Sequence, residues 1–306
     1  MFLQFELWKQ CSVGCKFCYN RGIKFKRDKI KSMEFIIDKL QSDETDKYNK
    51  IGLIAGEIFN GELSTLEEKN LFYKLIDILI EKIHTNKIQE MLITSSMIYK
   101  NTNDILEFCE YLKNKNVIDK VMICTSYDTL GRFNKKTESI WHKDMKLVHM
   151  LYPKLMLHVE MILTQHFLES VINGEFNPKI FKELYGSTVN YLLPFTGYGK
   201  LYKTKMELES KLPGFFPKRN TFLEFLRFSY INEIFTKSDI YDLNNINLHS
   251  DTVYCTFDDQ NFIKIDNRHT NEYLGYVNYT YNSGGYIDSE IHPRQDIEMF
   301  YNTLGE

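Results

Sequence analysis

Residues 2–18, FLQFELWKQCSVGCKFC, set an apolar, β-favouring run directly before three cysteines spaced C-x3-C-x2-C. The run at 2–8 reads as a strand, which puts the cysteines on the loop at its carboxyl end. Similar runs recur downstream: KIGLIA (50–55), EMLITS (90–95), KVMICTS (120–126), KLMLHVEMIL (154–163) and NYLLPF (190–195). Helical spacing fills the gaps, over about 32–41, 66–83, 103–115, 137–151 and 178–186, and Ser64 with Glu67 offers a capping box for the second of these. Strands alternating with helices predict a parallel sheet of βα units. Six units by residue 195 fall short of a closed eight-stranded barrel, so the expected α/β fold is a partial (β/α)6 TIM-like barrel.

The remainder reads differently. A Gly/Pro/Lys-containing connection (196–220) leads to a helix over 222–236, opened by Thr221 and Glu224, then to a polar stretch at 237–252. Strand-like pieces follow at 253–265 and 273–281, with a turn at Ser283-Gly284-Gly285. The expected division is a barrel at 1–195 and an α+β extension at 196–306 that closes the barrel mouth over a substrate.

Of 306 residues, 43% are hydrophobic and 14% aromatic, enough to bury a large core. A formal charge of -3 argues against a protein whose main task is to coat nucleic acid or an anionic membrane. No apolar run approaches the roughly 20 residues that span a bilayer, and the cysteines arrive too early for a signal peptide. The expectation is a soluble, cytoplasmic protein. Three of its six cysteines lie within eight residues, while Cys109, Cys124 and Cys255 are scattered, a distribution that suits metal ligation in a reducing compartment.

Three thiolates on one short loop can each ligate a corner iron of a [4Fe–4S] cluster and leave the fourth iron open. Zinc suits thiolates too, but a structural zinc site wants a fourth ligand. The next cysteine is Cys109 and the first histidine is His84. The spacing of Cys11, Cys15 and Cys18, with the aromatic Phe17 before the last, resembles the radical S-adenosylmethionine superfamily, and the likeness runs through about residues 2–195.

That resemblance implies a cofactor site distributed over successive strand ends. Cys11, Cys15 and Cys18 would hold the cluster, its open iron chelating S-adenosylmethionine, and Phe17 would lie against the adenine. Ile54-Ala55-Gly56-Glu57 resembles the family's Gly-Gly-Glu motif, with alanine for the first glycine and Ile58 where proline often follows. Gly56 and Glu57 would then meet the methionine amino group, Ser95 or Ser96 its carboxylate, and Ser126 with Asp128 the ribose. Ile162 and Leu193 would line the adenine. Taken singly, the hydroxyls and Asp128 are equally helix caps or turn formers, and the apolar residues equally core.

The implied chemistry is reductive cleavage of S-adenosylmethionine to a 5'-deoxyadenosyl radical, which abstracts hydrogen from a small or phosphate-bearing substrate. Nucleic acid or another macromolecule is an alternative substrate, and a noncatalytic cluster-binding protein an alternative class. A one-electron donor such as flavodoxin or ferredoxin is implied. With Cys255 alone beyond residue 195, a second cysteine-ligated cluster is not expected there, and with ten residues before Cys11 an N-terminal recognition domain is not expected either. Two basic stretches could receive an acidic partner or phosphate or are solvated surface: Arg21, Lys24, Lys26, Arg27, Lys29 and Lys31, suited to an acidic electron donor, and Lys200, Lys203, Lys205, Lys211, Lys218 and Arg219, suited to a phosphate-bearing substrate or nucleic acid. The tyrosine-rich segment 273–286, with Tyr276, Asn278 and Tyr286, reads as a half-buried strand or a chamber wall. His269 and His292 read as structural, Cys109 and Cys124 as buried inert thiols, and Cys255 as a candidate hydrogen-atom donor.

Overall fold

In the computed structural model the six runs form strands that stand side by side in chain order. The structure describes residues 2–8, 10–18, 28–192, 205–234, 252–257 and 262–265. Strands β1 (Phe2–Trp8), β2 (Lys50–Ala55), β3 (Glu90–Thr94), β4 (Val121–Tyr127), β5 (Met156–Ile162) and β6 (Thr188–Leu192) pair in parallel, each with the next. Helices connect them: α1 (Lys29–Gln41), α2 (Leu66–His84), α3 (Asn103–Asn114), α4 (Lys135–Leu151), then α5 (Gln165–Ile172) and α6 (Ile180–Tyr185). This is the alternating α/β order of an incomplete barrel, and among the described residues β6 pairs with β5 alone.

Two further strands lengthen the sheet at the opposite edge. β7 (Thr252–Phe257) pairs in parallel with β1, and β8 (Phe262–Ile265) runs antiparallel to β7. The strand-like piece expected at 253–265 is therefore a hairpin that turns β1 into an interior strand, consistent with the nearly continuous burial of β1. The other described parts of the extension are α7 (Lys205–Lys211) and α8 (Arg219–Ile231). The strand expected at 273–281, the Ser283-Gly284-Gly285 turn and the aromatic wall lie outside the described residues.

Each helix covers one face of the sheet with a stripe of helical period. Met33, Ile36, Ile37 and Leu40 form that stripe on α1, and Phe72, Leu75, Ile76, Leu79, Ile80 and Ile83 on α2. They pack on strand residues of one parity, including Leu53, Ile93, Ile123 and Val159. Along β5 the parity is plain: Leu157, Val159 and Met161 are buried, while Met156, His158, Glu160 and Ile162 are half-buried on the other face.

Three local expectations shift. The capping box of α2 uses Thr65 and Glu68, one residue on from Ser64 and Glu67; Ser64 instead donates its N–H and hydroxyl to Glu68. Both registers present a hydroxyl followed three residues later by glutamate, so only the backbone's course chooses between them. α8 begins at Arg219, before the expected Thr221–Glu224 start, and Thr221 accepts a hydrogen bond from Gln165 Nε2 at 2.9 Å. The run expected as a strand over 154–163 ends as one at Ile162, and Gln165 opens α5 behind its N-cap Thr164. Its Oε1 also accepts from the Lys218 N–H at 2.7 Å, so this one amide ties α5 to the start of α8. Phe167 and Phe225 meet between the two helices at 6.0 Å.

Candidate functional site

The cysteine loop is anchored on three sides. At its start, Gly56 N–H donates to the Trp8 carbonyl at 3.0 Å, Glu57 N–H to the Gln10 carbonyl at 3.2 Å, and Trp8 Nε1 to the Glu57 carbonyl at 2.8 Å. These bonds sew the exit of β1 to the exit of β2, so Gly56 lies beneath the loop. In its middle, Lys16 N–H donates to the Gly131 carbonyl at 2.8 Å, and the Phe17 ring occupies the space that a Cβ on Gly131 would need. On the far side Phe17 tilts against Phe215 at 5.5 Å. Gly14, at φ 71, supplies the left-handed residue that turns the chain between Cys11 and Cys15.

Of the three cysteines, Cys11 is exposed, Cys15 buried and Cys18 half-buried. Among the described residues no three Cys, His, Asp or Glu side chains converge on one metal-sized point. The thiols are nevertheless close enough to feel one another. Enclosure of its sulfur pushes the Cys11 thiol up to about 12, the Val13 N–H pulls it partly back, and Glu57, Cys15 and Cys18 push it further. Such a thiol is protonated at neutral pH, so metal ligation at this loop must release protons.

Glu57 was expected to offer its carboxylate to an amine, but it is wholly buried and turned into the protein. Its Oε1 accepts from Ile58 N–H at 2.7 Å, Phe59 N–H at 2.9 Å and Ser95 Oγ at 3.1 Å, and its Oε2 from Ser96 N–H at 2.7 Å. The carboxylate is a clamp between the loops after β2 and β3. It already receives four donors, three on Oε1 and one on Oε2, and the backbone of Gly56 and Glu57 is the part of this motif bonded to the start of the cysteine loop.

Ser95 and Ser96 are likewise committed. Ser95 Oγ shares a hydrogen bond with the Tyr99 hydroxyl at 2.5 Å, and Ser96 Oγ accepts from Ile98 N–H at 3.2 Å. The turn between them carries Met97 at φ 53, a conformation that L residues seldom adopt. It is held from outside by Asp144 on α4, whose Oδ2 accepts from Tyr99 N–H at 3.2 Å while Oδ1 is buried with no partner. Burial lifts the Asp144 carboxyl from 3.8 to about 6, against the opposing pull of the Tyr99 N–H and Lys143.

Asp128, expected at the ribose, is also buried and organises its own loop. Its oxygens accept from Leu130 N–H at 2.8 Å and Gly131 N–H at 3.2 Å. Burial raises its pKa, while these bonds and the Arg132 charge pull it down. Ser126 is half-buried on the open face of the sheet and stands opposite Glu160 in the register. Ile162 lies on the same face of β5, and Leu193 falls outside the described residues.

Sequence reasoning missed two features. One is the polar floor of β4–β6. There His158 Nδ1 hydrogen-bonds Thr188 Oγ1 at 2.7 Å, and the Cys124 thiol, held well above its ordinary value first by burial and then by Glu160, hydrogen-bonds that carboxylate. Polar residues alternating with buried apolar ones on β5 were the available signal. The other is Arg132, whose Nε is buried with no hydrogen-bond partner among the described residues and whose charge acts on Cys15, Asp128, Cys11 and Cys18. Of the first basic stretch, Lys29 turns inward to Glu62 and lies over the Trp8 ring at 5.1 Å; residues 21–27 are outside the description. Cys109 is buried as expected, its thiol pushed up to about 12 by burial and then by Glu110. No helix among the described residues is long and apolar enough to cross a membrane.

No family model matches the chain, and no curated protein does. Among solved structures, SuiB from Streptococcus suis, crystallised bound to S-adenosylmethionine, is similar over 76% of this chain at 14% identity, with a TM-score of 0.45. HydG, a maturase of the [FeFe]-hydrogenase, is similar over 74% of this chain at 12% identity, with a TM-score of 0.46. The match spans 48% of each of those chains, about half their length.

Proposed function

We propose that this chain is a radical S-adenosylmethionine enzyme in which Cys11, Cys15 and Cys18 hold one [4Fe–4S] cluster. The observation that carries the reading is the three-thiol loop, fixed between the exits of β1 and β2 and the Asp128–Arg132 turn. The donor set fits the group: three thiols suit a cubane with one open iron, and the buried Arg132 Nε lacks the acceptor that an anionic cluster would supply. When bound, the cluster supplies the electron that splits S-adenosylmethionine into methionine and a hydrogen-abstracting 5'-deoxyadenosyl radical.

The chain's own residues do the rest by placement. Gly56 brings bare backbone to the cysteine loop, where an amine can be met by carbonyls. Glu57 and Asp128 act from behind, holding the loops after β2 and β4 in shape. Ser126 and Ile162 offer a hydroxyl and an apolar side chain on the open face. The substrate is assigned to the floor of Cys124, His158 and Glu160, with residues 196–306 as its cover. A small molecule is the favoured substrate, and a flavodoxin or ferredoxin in the cytoplasm the electron source.

Formation of 5'-deoxyadenosine tests the reading. Anaerobic, reduced, cluster-loaded protein incubated with S-adenosylmethionine should release it, and a Cys18→Ala variant should not. Loaded protein that releases none would favour the noncatalytic alternative.

A further inference from the structure

The Gly131–Arg132 step is where the turn after β4 touches the cysteine loop. Gly131 receives the Lys16 N–H and gives its missing Cβ space to Phe17, and the next residue, Arg132, is close enough to Cys15, Cys11 and Cys18 for its charge and theirs to interact. Its Nε–H is enclosed without an acceptor among the described residues, although Asp128 lies close enough to share its charge. A buried guanidinium donor left unmatched is costly, and native proteins seldom keep one without a reason. The surrounding charges supply the reason. Glu57 adds negative potential at Cys11 and Glu160 adds it at Cys124, while the Arg132 charge opposes Glu160 at Cys124 and is itself favoured by Cys15, Asp128, Cys11 and Cys18.

We propose that Arg132 is a positioning residue for electron entry: its orphaned Nε–H and its charge face the cluster held by Cys11, Cys15 and Cys18 and raise that cluster's reduction potential. This rests on the radical-enzyme reading above. Reduction adds a negative charge to an already anionic group, so a nearby cation favours the reduced form, and net charge with hydrogen bonds to sulfur is a main determinant of such potentials. Few side chains suit the place better, because a guanidinium keeps its charge at any working pH and presents a directed N–H.

The test is a redox titration of the cluster by electron paramagnetic resonance, without S-adenosylmethionine, in wild type, Arg132→Gln and Arg132→Lys. Glutamine keeps an N–H but loses the charge, and its equilibrium constant for reduction should fall about tenfold or more, a shift of about 59 mV for one electron. Lysine should stay within about threefold of wild type. Should glutamine fail to load iron while lysine loads it, the charge requirement is upheld by assembly itself. Equal potentials in loaded wild type and Arg132→Gln would overturn the inference, as would loss of iron from both variants alike. So would an unchanged potential with weakened S-adenosylmethionine binding, which would assign Arg132 to that cofactor instead. Wild-type protein that takes up no iron would overturn the radical-enzyme reading itself, and this inference with it.

Discussion

Replacing Glu57 with alanine removes the acceptor for three backbone N–H groups, of Ile58, Phe59 and Ser96, and for the Ser95 hydroxyl. Ser95 keeps its bond to Tyr99, so the loss falls on the three N–H groups, all in a fully buried site. An orphaned buried donor costs about 1–3 kcal/mol. Some water will enter the vacated space, so Glu57→Ala should lose at least about 3 kcal/mol of folding stability, a large part of the roughly 5–15 kcal/mol that holds a domain. Glu57→Gln should lose only about 1–3 kcal/mol, because Oε1 survives and only Ser96 N–H meets a donor in place of an acceptor. Equilibrium urea denaturation measures both. A Glu57→Ala variant within about 1 kcal/mol of wild type that nevertheless binds S-adenosylmethionine poorly would refute the clamp and restore the carboxylate as a cofactor contact.

Two further outcomes follow from the same loops. The Asp144 carboxyl, raised to about 6 by burial, is held more tightly as the acid in the folded state, so its contribution to stability is complete below about pH 4 and is lost as pH rises through about 6. Asp144→Asn should therefore gain up to about 3 kcal/mol at pH 8 and almost nothing at pH 4; equal effects at the two pH values in urea titrations would contradict this. Gly131→Ala places a methyl inside contact distance of the Phe17 ring, which must shift and so disturbs the packing of the cysteine loop on the turn after β4. Iron bound after anaerobic reconstitution should fall several-fold with little change in melting temperature, and full iron content would show that the loop does not depend on that contact.

The six parallel strands were legible because buried strands need apolar runs, and the connecting helices because their stripes recur at helical period. The eight-residue α5 was not, since its Phe, Val and Ile suit a strand as well as a helix and its N-cap Thr164 continues the preceding apolar run. The pairing of β7 with β1 joins residues some 250 positions apart, which no local pattern encodes. At the candidate site, the sequence located the loops but not what each side chain does in them. Glu57, Ser95, Ser96 and Asp128 lie just after β2, β3 and β4, and their polar atoms are turned to one another and to the backbone. Arg132 carried no signal of its own, because its place depends on Gly131 lying flat against Phe17.

The central proposal, that Cys11, Cys15 and Cys18 hold a [4Fe–4S] cluster with one open iron, is tested most directly by metal and sulfide analysis of anaerobically reconstituted protein. The proposal predicts about four irons and four sulfides per chain, none of them retained when any one of the three cysteines is replaced by alanine. Stoichiometric zinc on that loop, with no iron taken up, would contradict it.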